Sequence, residues 1–416
     1  MPTMAQNLKS IFLMSGKKHL FHFNSFKAVT IKYTLIAGGL ITILLFMRVN
    51  CFCQEEDLKF GNYGVGFKYV YLLDKNRDWL PSPFDSSEKP KTAFRPLRIA
   101  IWYPAENENK KLMKFENYIN PESPDKYYGK LNEVMNDYDM WSYNGMFDKD
   151  KSIIKSLLDL KTKAVFNAKE RPGKYPLVVY CSGWFSRSPD NALLAEYLAS
   201  NGYVVVTVPQ LGTGSTIFDF KVTEDRLITQ VKDLQFALDY AVSLGNVDNE
   251  KIAAAGFSIG GIVQLWLSQQ DSRIKALVGL DGSFMFKEWA ELSQKGIRET
   301  RNNFPILSLY RGNEKLSGNV SDEFFKSLAW ADKVLIEVPR ATHGEFSDEA
   351  YLYAKMNYPW KHTQFNTLKE ATHCYQSVIN STKAFLDIIF SSGYDKSRLK
   401  DEMKIKAETF HLKYKH

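Results

Sequence analysis

Residues 256–261 read Gly-Phe-Ser-Ile-Gly-Gly and follow directly on the apolar run 252–255. A nucleophilic hydroxyl needs this setting. Glycines two before and two after the serine let neighbouring backbone approach a sharp strand-to-helix turn, and the helix start aims its free amides at developing negative charge. Ser258 is therefore the candidate nucleophile, and the amide of Ile259 the first candidate donor to an oxyanion. A second donor is expected in the loop after the run 177–180, which reads Cys181-Ser182-Gly183-Trp184-Phe185. Gly183 lets that loop turn inward and makes the Trp184 amide the candidate. The chemistry would be acyl transfer to water.

A serine of this kind needs a base. Past residue 53 the histidines are His343, His362, His373, His411 and His416. His343, in Arg340-Ala341-Thr342-His343-Gly344, follows the run 334–338. Loops after parallel strands gather on one edge of a sheet, so this loop is expected beside Ser258. His373 falls within a helical pattern, and His411 and His416 lie in the tail. The base in turn needs an orienting carboxylate. Asp281 follows the run 276–280. Glu314 follows the next run, 306–310, in Arg311-Gly312-Asn313-Glu314, and Asp322 comes a little later. Position alone does not separate Asp281 from Glu314.

The elements that must hold these residues are legible as apolar runs at 97–103, 177–180, 203–208, 252–255, 276–280, 306–310 and 334–338. Most carry no polar alternation, as expected of strands buried on both faces. Stretch 65–72 alternates and predicts a more exposed antiparallel strand. Helical patterns fall at 191–201, 223–244, 260–270, 321–331 and 364–391. Within 223–244 the residues Leu227, Val231, Leu234, Leu238 and Val242 form one buried stripe. Strand and helix in alternation predict an α/β class: a mostly parallel, doubly wound sheet flanked by helices. Two insertions, about 105–173 and 346–375, interrupt the pattern; both are aromatic-rich and long enough to serve as lids. The basic stretch 396–415 reads as a solvated helix.

The 416 residues are 44% hydrophobic and 24% charged, which excludes a disordered or multi-span membrane chain. The net charge of +7 is no sign of nucleic-acid binding. Lys9, Lys17, Lys18, Lys27, Lys32 and Arg48 stand in residues 1–53, which contain no acid, so the rest is nearly neutral. The apolar run 33–47 behind those charges is short for a membrane span. It predicts a secretory leader cut before Gln54, with an uncleaved anchor or lipidation at Cys51 or Cys53 as alternatives. Residues 54–416 would then form one domain exported to the periplasm or outside the cell, with membrane association expected through the N-terminal segment and weak surface contact of 396–415 as an alternative. Cys181 and Cys374 do not make a disulfide framework. No His-Glu-x-x-His run or paired histidine spacing is present, and Gly212-Thr213-Gly214 lacks the lysine of a phosphate loop. No metal or cofactor is expected.

With these residues in place, the chain resembles the α/β-hydrolase superfamily, and within it the branch of platelet-activating-factor acetylhydrolases and dienelactone-hydrolase-like proteins. The resemblance covers about 60–104 and 174–346. It is carried by Ile-Trp-Tyr-Pro at 101–104, Pro-Leu-Val-Val-Tyr at 176–180 with Gly183, Ala-Ser-Asn-Gly-Tyr at 199–203, and Lys-Ile-Ala at 251–253 before the elbow. It implies Asp281 as the acid, His343 as the base, and Trp184 and Ile259 as the oxyanion amides. Two positions depart from that branch: Ser182 and Phe257 stand where the acetylhydrolases carry histidine. The implied activity is a serine hydrolase cleaving small-molecule, lipid or sugar esters, with no nucleic-acid partner. A serine peptidase of the same fold and a catalytically silent binding module are the competing expectations.

Overall fold

The computed structural model describes residues 58–79, 93–107, 111–184, 186–187, 189–211, 222–298, 303–312 and 323–415. The chain divides into residues 1–57 and a compact unit, 58–416. The expected leader lies outside the described residues.

Among the described residues one ten-stranded sheet runs β10-β9-β8-β7-β6-β4-β5-β2-β1-β3. Its strands are β1 (Gly64–Trp79), β2 (Ala93–Ala105), β3 (Ala164–Phe166), β4 (Tyr175–Cys181), β5 (Val204–Thr207), β6 (Val247–Phe257), β7 (Ile274–Leu280), β8 (Ile306–Arg311), β9 (Lys333–Val338) and β10 (Lys413–Lys415). Neighbours from β5 to β9 pair in parallel, while β1, β2 and β10 join antiparallel. The apolar runs do become strands buried on both faces. Successive side chains alternate, so Leu177 and Val179 enter one core while Val178 and Tyr180 enter the other.

Each core is closed by helices. Glu224–Val242 and Ile259–Gln270 pack on the Leu177 side through Leu227, Val231, Leu234 and Ile262. Ala192–Ser200 and Leu368–Phe390 cover the Val178 side. The helix starts are capped as their sequences require: Thr223 Oγ1 accepts from the Arg226 amide and Thr367 Oγ1 from the Glu370 amide.

The first insertion is largely helical. Lys126–Met146 starts at Asp125, whose carboxylate accepts from the Tyr128 amide, and Lys151–Leu158 starts at Asp150. It also supplies β3, parallel to β1, where no strand was expected. The tail corrects another expectation: 396–415 is not one helix but the helix Leu399–Thr409 followed by β10 on the edge of β9. Of the helix expected at 321–331, the described residues show Glu323–Ser327 as helix and none beyond Ser327. Among the described residues no helix is long and apolar enough to cross a membrane.

Candidate active site

The carboxyl ends of β4, β6, β7, β8 and β9 share one edge of the sheet, and every candidate residue within the described chain lies in or after one of those ends. Ser258 leaves β6 and opens the helix Ile259–Gln270 with φ 55° and ψ −126°, backbone that L-residues rarely adopt. Three hydrogen bonds hold it there. Its amide donates to the Leu280 carbonyl at 3.1 Å, and its carbonyl accepts from the amides of Gly261 at 2.9 Å and Ser283 at 2.8 Å. The flanking glycines are needed for space. A β-carbon on Gly256 would fall 2.3 Å from the Gly260 carbonyl oxygen, and one on Gly260 would fall 2.3 Å from that of Cys181.

Ile259 is the first residue of its helix, so its amide has no carbonyl one turn back to bond. Trp184 enters the site from the loop after β4. A β-carbon on the neighbouring Gly183 would come within 3.0 Å of Ser258 Cβ, so that loop is pressed against the elbow. The Arg226 guanidinium lies 4.8 Å from the Trp184 ring centroid.

Asp281 follows β7 with φ 45° and is wholly buried. Its Oδ2 meets His343 Nδ1 at 2.5 Å, and its Oδ1 accepts from the Arg311 amide at 3.1 Å. The contact commits Nδ1 to the carboxylate and leaves Nε2 for a second partner. The His343 ring stacks on Phe257, centroids 4.6 Å apart and planes 26° from parallel, so the residue before Ser258 fixes the plane of the imidazole. Ser258, His343, Trp184 and Phe257 all line one open cavity of about 460 Å³.

The structure thus brings together Ser258, Asp281, His343, Trp184 and Ile259. Glu314, Asp322 and Phe185 lie outside the described residues. His362 reaches the cavity rim but is exposed, His373 is in the helix Leu368–Phe390, and His411 is in the tail with φ 57°. Cys181 and Cys374 are free and buried. Among the described residues no cluster of His, Cys, Asp or Glu is suited to a metal.

Sequence reasoning missed three supports. Glu345 is buried beneath the His343 loop, where its Oε2 accepts from the Thr342 amide at 2.7 Å and hydroxyl at 2.5 Å, and its Oε1 from the Thr363 hydroxyl at 2.6 Å. Thr342-x-x-Glu345 has the spacing of a capping box, a signal legible in the sequence. Arg187 clamps the far side of the cavity to Glu349 at 3.3 Å and Asp190 at 3.9 Å, with its guanidinium 5.0 Å from the Tyr143 ring centroid. Burial pushes Asp190 up to about 6 and Asp348, which also faces Asp190, up to about 8. The third support is Arg311, on the near side. The two insertions meet beside this clamp: the Tyr353 hydroxyl donates to the Met146 carbonyl, and the Tyr358 hydroxyl to Asp148.

Comparison with known proteins supports the fold. The Prolyl oligopeptidase family matches residues 191–301, the stretch that carries the elbow and Asp281. A ferulic acid esterase from Streptomyces cinnamoneus superposes with a TM-score of 0.55 at 20% identity, covering 85% of this chain and 97% of that one. The fold is an α/β-hydrolase fold. Curated relatives with this hydrolase-fold chain include the cutinase est1 of Thermobifida alba, 24% identical over 41% of this chain and 53% of its own. Another is the bis(hydroxyethyl) terephthalate hydrolase of Streptomyces coelicolor, 24% identical over 45% and 56%. The chain spans about half the length of these curated relatives.

Proposed function

We propose that this protein is a serine hydrolase of carboxylic esters, with Ser258 as nucleophile, His343 as base and Asp281 as the orienting acid. The observation that carries the reading is the 2.5 Å contact from Asp281 to His343, with His343 and the Ser258 elbow lining one cavity. Ser258 Oγ attacks the acyl carbon while His343 Nε2 takes its proton. Asp281 holds the tautomer and balances the imidazolium. The amides of Trp184 and Ile259 donate hydrogen bonds to the negatively charged tetrahedral oxygen. His343 then protonates the leaving alkoxide, the carbon–oxygen bond breaks, and an acyl-enzyme remains. Water repeats the sequence: its hydroxyl goes to the acyl carbon and its proton returns through His343 to Ser258.

Cutinases and a terephthalate-ester hydrolase among the relatives support ester cleavage. The acid one strand after the elbow strand is the arrangement that the acetylhydrolase resemblance implies. We place residues 1–53 as the export segment and 54–416 as the hydrolase domain. A peptidase is the second reading, favoured by the Prolyl oligopeptidase match. Both readings are tested on p-nitrophenyl esters from acetyl to decanoyl and on aminoacyl p-nitroanilides, with Ser258→Ala as control. Ester turnover that falls by at least about 10⁴-fold in the folded variant is expected. Turnover of anilides alone would favour the peptidase, and turnover that survives the substitution would remove Ser258 from the mechanism.

A further inference from the structure

Arg311 ends β8, the strand next to β7 and Asp281, and its side chain stands in the wall of the cavity that holds Ser258 and His343. Its guanidinium lies over Phe286, 4.4 Å from the ring centroid. Nε is buried with no hydrogen-bond partner. Among the described residues its ion-pair partner is Asp281 Oδ2, 3.5 Å away and already engaged by His343 Nδ1. Among the described residues neither terminal nitrogen of this guanidinium has a hydrogen-bond partner. Arginine cannot shed its charge, and here a buried, idle Nε and terminal nitrogens that open to the cavity present donors to an acceptor bound there. The other arginine of the cavity is differently placed: Arg187 already meets Glu349, Asp190 and Met146 Sδ. One flank of the cavity is closed on itself, and the other presents a guanidinium whose single ion pair, Nε to Asp281 Oδ2 at 3.5 Å, leaves its terminal nitrogens for another acceptor.

The geometry points to Arg311 as the seat of a carboxylate carried by the substrate, so that half-esters of dicarboxylic acids are cleaved in preference to neutral esters. The inference rests on the assignment of Ser258 as nucleophile above. A carboxylate fits because its two oxygens match the parallel donors of a guanidinium edge. The sheet sets the spacing. β6 and β8 are two strands apart, about 10 Å, which places the carboxylate several bonds from the scissile carbonyl. An acyl chain of roughly four methylenes, about 6 Å between its carboxyl carbons, fills that gap once the guanidinium–carboxylate contact of about 3 Å is added, as in a monoester of adipic acid.

The test compares monomethyl adipate with dimethyl adipate, followed by base uptake, in the native protein and in Arg311→Gln. The readout is the ratio of kcat/KM for the two esters, because any loss through Asp281 is common to both and cancels. The native ratio is expected to favour the half-ester, and the variant to lower it by about tenfold, mainly through KM. Added salt should raise KM for the half-ester and leave the diester alone. A second arm needs no variant: free adipate should inhibit p-nitrophenyl butyrate hydrolysis competitively, and adipamide should not. An unchanged ratio, or adipate no better than adipamide, overturns the inference while the hydrolase reading stands. Absence of turnover on every ester removes the hydrolase reading, and the inference falls with it.

Discussion

At the scale of single residues, Asp281 and Glu314 could not be separated by spacing, because each follows a buried strand on the same edge of the sheet. In the structure the His343 Nδ1 contact goes to Asp281, while Glu314 lies outside the described residues. Asp281→Asn should therefore lower kcat by about 10⁴, because the amide favours the wrong tautomer while the fold persists. Glu314→Gln should stay within about twofold in the same assay, since no proton in the mechanism passes through it. Comparable losses from both variants would reopen the assignment. Phe257 shows how a departure from the resemblance can still serve the site: with phenylalanine there, the imidazole gains an apolar face to stack on.

Among elements, the elbow shows how little freedom the motif has. A methyl group on Gly260 meets two carbonyl oxygens of the Cys181–Ser182 loop, at 2.3 and 2.5 Å. That loop leads into Trp184, so Gly260→Ala should move the proposed oxyanion amides and strain the turn together. A cost of about 1–3 kcal/mol, near 2–4 °C per kcal/mol in melting temperature, is expected alongside loss of turnover. A variant that melts normally and turns over esters normally would show that the loop yields cheaply. The central strands were readable because burial on both faces removes polar alternation, as at 177–180 and 276–280. β3 and β10 were not readable. Each has three residues, and each exists because a neighbouring strand offers unpaired backbone groups, a long-range fact that no local pattern records. The His343 loop was placed by order alone, while its anchor, Glu345, was signalled by the capping-box spacing and overlooked.

For the molecule as a whole, buried carboxyls set the dependence of stability on pH. Glu196 is fully buried, accepts from the Tyr118 hydroxyl at 2.7 Å and the Lys163 amide at 3.1 Å, and is raised by burial to about 7. Unfolded, it would titrate near about 4.3. Because the folded value is the higher one, its stabilising contribution is complete below about pH 4.3 and is lost as pH rises through 7, roughly 4 kcal/mol in all. Asp190 and Asp348 are displaced in the same direction. Melting temperature should fall across that window, and Glu196→Gln should flatten the fall; an equal slope in both proteins would place the cause elsewhere. The tail carries a different consequence. β10 lies along the outer edge of β9, and Lys413 and Lys415 pair with Glu337 at 3.0 and 2.5 Å. A strand rich in valine, leucine and isoleucine with open backbone donors is a template for another chain, and the tail occupies that template in cis. Removal of residues 413–416 should leave ester turnover intact in fresh, dilute samples. The same samples should scatter light increasingly with concentration, because the sheet would be completed by a neighbour.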